Sequence, residues 1–569
     1  MISRIERKNR EKDPLIAQSN VRRLFFMFFL FTLILFSLIG RLAYIQIIKG
    51  ESFYKMAQSQ WFKEIPLGIE RGTIYDRNMI PLTNRVSGSY LVIFPKTFVK
   101  NDENIQKVKD VTGISAWSLK HEKIIGSRPI YLEIKNNDQD LLKSFGQLKG
   151  VFPIERKERY DKNGIASHVI GYINKVDNNG SKGIEKQFNE ILKENQKDRI
   201  GAIVDAQNRI IPGLGYQKLE NEENMIGKNI VTTIDYTIQK AVEEEFDKEH
   251  ENGSVVVLDV ESGDILAMVS RPNFNQENVA AYLDSKNKEL YNRGIQIAYP
   301  PGSIFKIVVA AAALENQVID FNEHFFCQGY EEFGDIKIKC ISYDKGGHGD
   351  ISFEEAFSKS CNSTFIQIGE RVGGAEIMNM ARKLGLGGLT NVELPEEISG
   401  SLATEDYMKG AGIGNISIGQ GTIEATPLQI AAMTSIIANN GMKQDTHLID
   451  SIVDDEGTVL ERVSSSKSER VLSEATAQKV RLLMEEVIRE GTGRAINWNE
   501  IGGAGGKTGS SQAIDDGQDT VHAWFTGYFP SEVPKYVITI VIENGGSGGR
   551  VAAPLFDKIA KRIINEKRQ

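Results

Sequence analysis

The sequence predicts an α+β protein tied to a membrane by a single N-terminal transmembrane helix. Three observations lead there: an uncharged apolar run at residues 24–40, a mixed polar stretch to about residue 230, and a final region that opens on a β-hairpin, continues in helices and closes on two strands and a helix. A hairpin at the start and strands at the end imply one antiparallel sheet whose edges come from both ends of the domain, sandwiched by helices. The length of 569 residues leads one to expect about three to four domains. With 25% charged and 41% hydrophobic residues the composition is that of an ordinary folded chain, not of collagen, coiled coil or disorder.

Residues 1–23 carry Arg4, Arg7, Lys8, Arg10, Lys12, Arg22 and Arg23 against Glu6, Glu11 and Asp13, a net of +4 in a chain of total charge −8, which leaves −12 on the body. A mildly acidic body lacks the basic stripe that nucleic acid requires. The run Leu24 to Gly40 (LFFMFFLFTLILFSLIG) has no charge, and Leu42 to Ile48 lengthen it past Arg41, which can snorkel. No small-x-small cleavage site follows, so residues 24–48 read as an uncleaved anchor. The basic flank is expected to hold residues 1–23 in the cytoplasm and leave everything after the anchor outside the plasma membrane.

Residues 49–230 form an α+β module, with Tyr90 to Phe94 (YLVIF) and Ile130 to Ile134 (IYLEI) as strands between charged helical stretches. The last domain, 231–569, starts with Val231 to Asp235 and a helix over Ile238 to Phe246. Ser254 to Asp259 and Ile265 to Val269 then make a hairpin around the turn Glu261-Ser262-Gly263-Asp264. Val521 to Tyr528 and Tyr536 to Ile542 are the closing strands. Pro554 opens an amphipathic helix with Leu555, Phe556, Ile559, Ala560 and Ile563 on one face. Three cysteines, Cys327, Cys340 and Cys361, leave at least one unpaired. Cys327 and Cys340 can form a disulfide, stay free, or join His324 and His348 as a His-x2-Cys-x12-Cys-x7-His zinc site, and spacing alone leaves the three open.

The chemistry concentrates in three places. In Tyr299 to Glu315 (YPPGSIFKIVVAAAALE) a Pro-Pro-Gly breaker precedes Ser303, and the helix from Ile304 to Leu314 is apolar apart from Lys306. A helix apolar all round is buried, and burial disfavours the ammonium form of its lysine. Ser303 and Lys306 share a face and can hydrogen-bond, the arrangement of a nucleophile and its base, and the helix start favours developing negative charge. Ser-x-x-Lys occurs five times here, so the spacing alone is worth little; only this copy opens a long apolar helix. Ser360-Cys361-Asn362 is by itself most simply a turn or helix cap. Lys507-Thr508-Gly509 lies in GGAGGKTGSSQ, where glycines permit close approach of a ligand, just before the closing strands, so it can form a sheet edge that pairs with an extended peptide. Gly545-Gly546-Ser547-Gly548-Gly549 matches Gly-x-Ser-x-Gly, but that hydrolase class places its histidine after the serine and the last histidine here is His522, so a flexible glycine loop is the better reading.

Taken in order, Ser303-x-x-Lys306, Ser360-x-Asn362 and Lys507-Thr508-Gly509 resemble the motif set of penicillin-binding proteins and active-site serine β-lactamases. The flanks narrow the resemblance to class B penicillin-binding proteins: Asn292-Arg293, Tyr299-Pro300-Pro301-Gly302, Leu266-Ala267-Met268 with Ser270-Arg271-Pro272, Gly419-Gln420-Gly421, and Thr426-Pro427-Leu428-Gln429. In the earlier module, Arg71-Gly72-Thr73-Ile74-Tyr75-Asp76-Arg77-Asn78 and Gly183-Ile184-Glu185-Lys186 are similar to motifs of that class's non-catalytic pedestal. Met79, Ile304 and Ser510-Ser511 depart from glycine, threonine and Thr-Ala without removing a required group.

The resemblance implies a pedestal, or dimerisation-type, domain over 49–230 and a β-lactamase-like transpeptidase domain over 231–569. It implies a D,D-transpeptidase acting on the D-Ala-D-Ala ends of peptidoglycan stem peptides, inhibited by β-lactams, with no cofactor and no metal. Ser303 would be the nucleophile and Lys306 its base; Ser360 would relay a proton, and Asn362 would hold Lys306 and the substrate amide. Lys507 and Thr508, with Gly509, would bind the terminal carboxylate, the charge of Lys507 would favour neutral Lys306, and the N–H groups of Ser303 and Ser510 would form the oxyanion hole. A SEDS-family glycosyltransferase is the implied partner. A β-lactamase or β-lactam sensor shares the three motifs but does not need the long pedestal, and a purely non-catalytic cell-wall scaffold would not need the full set of side chains.

Overall fold

The computed structural model describes residues 14–65, 71–95, 98–125, 130–136, 142, 145, 148, 150–161, 164–175, 177–193, 198–203, 216–220, 227–463, 467–515 and 518–568. The anchor is a helix, α1 (Pro14–Ala43), prolonged by a π turn over Tyr44–Ile48. Its apolar span, Val21–Ile48, is long enough to cross a membrane. At 1.5 Å per residue it measures about 40 Å, against roughly 30 Å of hydrocarbon. Phe25, Phe28, Phe31 and Phe36 are exposed along it, as lipid-facing side chains must be. The helix fits a single-pass membrane anchor. Residues 1–13 of the basic tail lie outside the described residues.

The chain separates into two compact units, one of residues 1–67, 90–154 and 198–221, the other of 68–89, 155–197 and 222–569. In the first, the two segments read as strands are strands, and Tyr90–Ile93 pairs antiparallel with Ile130–Glu133. The helix Asp102–Thr112 packs Ile105, Val108 and Val111 onto Leu91, Ile93 and Leu132. That helix begins where Asn101 accepts the N–H of Asn104 and ends at Gly113, whose φ of 70° only glycine adopts cheaply.

The second unit is built on a five-stranded sheet of β1 (Gly253–Asp259), β2 (Ile265–Arg271), β3 (Gly505–Asp515), β4 (Gln518–Phe529) and β5 (Tyr536–Ile542). The order is β2-β1-β5-β4-β3, antiparallel throughout, so the two edges do come from the two ends of the domain. Strand periodicity divides the side chains between two cores. Val255, Val257, Phe525 and Phe529 face α2 (Tyr236–Asp247) and the terminal helix Ala553–Arg568 through Val242, Phe246, Phe556 and Ile559. Val256, Leu258, Trp524 and Val541 face the opposite way, onto a core shared with α3 (Lys306–Glu315) and the helices Pro427–Ala438 and Glu474–Arg489. Both faces are covered, which is why these strands read as continuous apolar runs.

Two stretches singled out in the sequence meet in this unit. Arg71 Nε donates to Glu185 Oε2 at 2.8 Å, while Arg159 Nε (2.6 Å) and the Tyr160 hydroxyl (3.0 Å) donate to Oε1. Glu185 is fully buried, so these donors are what keep its charge tolerable. Asp76 Oδ1 accepts the N–H groups of Asn78 (2.8 Å) and Ile80 (2.7 Å), closing a turn in which Met79 takes a φ of 62°. That left-handed φ is the physical reason for glycine where the resemblance expects one.

Candidate active site

The Pro300-Pro301-Gly302 breaker does not lead straight into the α-helix. Gly302–Phe305 forms a 3₁₀ turn and α3 starts at Lys306. The turn rests on the glycine and threonine motifs noted in the sequence. Gly302 N–H donates to Gly419 O at 2.9 Å, Tyr299 and Ala425 exchange two backbone bonds, and Thr426 and Gln429 form a capping box that starts the next helix. A Cβ on Gly419 would lie 2.1 Å from the carbonyl oxygen of Gly302, so no other residue fits this seat.

Ser303 is half-buried at the mouth of the site, whereas Lys306 is fully buried, as the apolar helix predicts. The expected Ser303–Lys306 hydrogen bond is not what Lys306 makes. Its Nζ is 2.7 Å from Ser360 O, 2.7 Å from Asn362 Oδ1 and 3.1 Å from Ser360 Oγ, which uses its donors across the site. Ser360 reaches this position because the helix Phe353–Ser358 ends and the chain turns through Ser360 at a φ of 55° before α4 (Asn362–Val372) begins. Such a conformation costs a non-glycine residue about 1–3 kcal/mol and aims the Ser360 carbonyl at Lys306. Asn362 Nδ2 donates to Lys339 O at 3.0 Å, so the amide expected to contact substrate is tied to the hairpin beside it.

Lys507 comes in on the edge strand β3 and is also fully buried, its Nζ 3.0 Å from Ser360 Oγ. One hydroxyl is therefore held between two lysine nitrogens, which can be no more than about 6 Å apart. Two ammonium charges at that separation repel by about 3 kcal/mol at an effective dielectric near 20. Burial pushes Lys306 down to about 8. Burial, and then the neighbouring Lys306, hold Lys507 well below the ordinary lysine range. Both lysines are thus lowered, chiefly by burial, and repulsion between two such close ammonium groups acts against charging both at once.

Strand alternation sends Lys507 and Thr508 to opposite faces of β3. The Thr508 hydroxyl lies 2.6 Å from that of Thr492, and Ser510 Oγ accepts the N–H of Gly548 at 3.2 Å. Gly509 lets the strand close on the nucleophile turn: a Cβ there would be 3.0 Å from Pro301 O. The structure thus joins Lys306, Ser360, Asn362 and Lys507 directly, sets Ser303 three residues from Lys306, and places Thr508, Gly509 and Ser510 along the adjoining strand. The Gly545–Gly549 loop serves as packing, since a Cβ on Gly548 would meet Trp524 O at 2.2 Å.

The three cysteines are free and buried. The Cys327–Cys340 disulfide does not form, because both sulfurs turn to His348 Nδ1, at 3.5 and 3.6 Å. His324 stands apart, exposed beside Asp350. In its place Cys361 joins, so that Cys327, Cys340, His348 and Cys361 present ligand atoms within 4.8 Å of one another, a set that could hold a metal ion. Sequence reasoning missed Cys361 as a ligand because the His-x2-Cys-x12-Cys-x7-His spacing already supplied four ligands and left Cys361 as the odd thiol inside Ser-x-Asn. It missed Thr492 and the Lys339 carbonyl because no local signal marks them.

An antiparallel sheet sandwiched by helices, with a half-buried serine and two buried lysines gathered at its edge strand, defines a penicillin-recognising serine enzyme. Residues 253–561 match the family model of the penicillin-binding protein transpeptidase domain and residues 67–232 that of the penicillin-binding protein dimerisation domain, and the chain belongs to this family, as a class B member. It is 29% identical over 574 residues to stage V sporulation protein D of Bacillus subtilis, covering 97% of this chain and 87% of that one. It is 27% identical to the peptidoglycan D,D-transpeptidase MrdA of Acinetobacter baumannii, covering 94% and 87%. A solved chain described under structural coordination of polymerization and crosslinking by a peptidoglycan synthase complex superposes with a TM-score of 0.70 at 26% identity, covering 95% of this chain and 98% of that one.

Proposed function

We propose that this chain is a membrane-anchored peptidoglycan D,D-transpeptidase that cross-links stem peptides through an acyl-enzyme on Ser303, and that β-lactams acylate the same residue. The observation that carries the reading is Ser360 Oγ, held at 3.1 Å from Lys306 Nζ and 3.0 Å from Lys507 Nζ in a buried site beside Ser303.

Ser303 Oγ attacks the carbonyl of the penultimate D-alanine as its proton passes to the neutral form of Lys306, which a pKa of about 8 makes accessible at neutral pH. The N–H groups of Ser303 and Ser510 take the oxyanion. The C–N bond to the last D-alanine breaks, and the nitrogen leaves with the proton handed on through Ser360. An amine of a neighbouring stem then attacks the ester and gives its proton to Lys306; as the C–O bond to Ser303 breaks, Lys306 passes that proton to Ser303 Oγ, so the new peptide leaves and both residues are restored. The terminal carboxylate lies along β3, where Thr508 and Ser510 share a strand face and Lys507 supplies charge. A carboxylate there offsets the burial and the repulsion that depress Lys507 and favours its ammonium form, so substrate binding and the charge of Lys507 reinforce each other.

The anchor is read with residues 1–23 in the cytoplasm and the catalytic residues outside, the pedestal over 49–230, and the transpeptidase domain over 231–569. A polymerising partner fits the likeness to the chain of a peptidoglycan synthase complex, and a SEDS-family glycosyltransferase is the partner that the class B resemblance implies. The test of the activity is exchange: purified full-length protein, given a D-Ala-D-Ala peptide and a labelled D-amino acid, should release D-alanine and incorporate the label. Release without incorporation would replace the transferase reading with a hydrolase.

A further inference from the structure

Between α3 and α4 the chain runs out into short paired strands and returns to the active site. His324–Cys327 pairs with Gly349–Ser352, and Tyr330–Phe333 pairs with Ile336–Lys339. Four side chains converge inside it. Cys327 ends the first strand, Cys340 follows the Ile336–Lys339 strand, His348 precedes the last strand, and Cys361 sits between Ser360 and Asn362. The three sulfurs are buried, and the distances are 3.5 Å from Cys327 Sγ to His348 Nδ1, 3.6 Å from Cys340 Sγ to the same nitrogen, and 3.7 Å from Cys340 Sγ to Cys361 Sγ.

These three of the six distances match edges of a metal tetrahedron, and all four ligand atoms lie within 4.8 Å of one another. With Zn–S near 2.3 Å and Zn–N near 2.0–2.1 Å, an ideal tetrahedron has sulfur–sulfur edges of about 3.8 Å and sulfur–nitrogen edges of about 3.6 Å. Cysteines packed only as small apolar groups give no reason for an imidazole nitrogen to sit among three sulfurs. A disulfide does not describe the cluster either, since sulfurs 3.7 Å apart are not bonded and any one pair strands the third thiol and the histidine. Ser342 Oγ, 3.1 Å from His348 Nδ1, is the one other polar side chain hydrogen-bonded to that nitrogen among the described residues, and a ligating nitrogen would have to give up that bond.

We propose that Cys327, Cys340, His348 and Cys361 bind one zinc ion, and that this ion fixes the turn carrying Ser360 and Asn362. Three thiolates and an imidazole select zinc over harder cations, and four protein ligands leave no open position, so the ion is structural and not hydrolytic. Its effect on the site follows from chain order. Cys361 is covalently between Ser360, with its strained φ of 55°, and Asn362. Cys340 directly follows Lys339, whose carbonyl accepts from Asn362 Nδ2. A metal bond to Cys340 and Cys361 therefore clamps both sides of Asn362 and holds its Oδ1 toward Lys306. This positioning role rests on the catalytic reading above; the metal site itself does not.

The experiment uses full-length protein in detergent, purified under reductant without chelator. Elemental analysis should find about one zinc per chain. Replacement by cobalt should give intense tetrahedral d–d bands and thiolate-to-cobalt charge transfer in the wild type, and both should vanish in Cys327→Ser and His348→Ala. A wild type that holds less than a tenth of an equivalent after incubation with zinc, and shows no such bands with cobalt, would overturn the site whether or not the variants fold. Folded variants that keep full metal and unchanged bands would overturn the ligand assignment. Chelation should slow acylation by a fluorescent penicillin by about tenfold or more, with recovery on adding zinc. Unchanged acylation by metal-free protein would overturn the positioning role, whereas failure of the catalytic reading would appear separately as undiminished labelling of metal-loaded Ser303→Ala.

Discussion

Asn362→Ala removes the acceptor 2.7 Å from Lys306 Nζ and the donor 3.0 Å from Lys339 O in one step. Lys306 is fully buried, so no water replaces the lost oxygen without entering the site. A hydrogen bond to a charged group contributes about 1.5–3 kcal/mol. If that bond serves to aim Lys306, its loss raises the barrier to acylation by a similar amount, a fall of roughly 10- to 150-fold at 1.4 kcal/mol per factor of ten. The assay is the second-order rate of acylation by a fluorescent penicillin, with a thermal melt on the same sample. Asn362→Asp is the companion variant: a carboxylate beside Lys306 raises its pKa, so acylation should drop at pH 7 and recover in more alkaline buffer. An Asn362→Ala protein that melts like the wild type and acylates within threefold of its rate would refute the assignment of Asn362 as the residue that orients the base.

Because the base must be neutral and Lys306 is pushed down to about 8, the wild-type acylation rate should climb as pH rises through 8, by several-fold between pH 7 and 9; a flat profile would contradict Lys306 as base. Glu185→Ala leaves Arg71 and Arg159 without their carboxylate in a buried site and should cost about 3–5 kcal/mol, read as a lower melting temperature with penicillin labelling retained on ice; an unchanged melt would contradict the network. Met79→Gly relieves a left-handed φ at an exposed turn and should leave stability unchanged or raise it by up to about 1 kcal/mol, a change that denaturant unfolding resolves in sign.

What was legible in the sequence was whatever is written in local pattern. The hairpin at β1 and β2, the closing strands and the amphipathic terminal helix all stand where apolar runs, turn residues and helical periodicity put them, and an apolar helix with a single lysine marked Lys306 before any partner was known. Pairings across long separations were not legible. Lys507 and Ser360 are 147 residues apart and meet only because β3 is the sheet edge that packs on the nucleophile turn. The same limit explains His324, chosen for the metal reading by spacing, when the fourth ligand atom comes from Cys361 after the chain has turned back. It also explains the seat of Ser303, where Gly419 supplies a carbonyl that no local motif assigns to Gly302. The left-handed Ser360 is a local break of the rules at a functional place, the kind of exception that pattern reading misses.

The central claim, that Ser303 is the acylated nucleophile, is tested most directly by intact mass spectrometry of the full-length protein after exposure to benzylpenicillin. The wild type should gain one penicilloyl group, and peptide mapping should place it on Ser303. The folded Ser303→Ala protein should gain none. A full adduct on Ser303→Ala, or mapping of the wild-type adduct to another residue, would contradict the account.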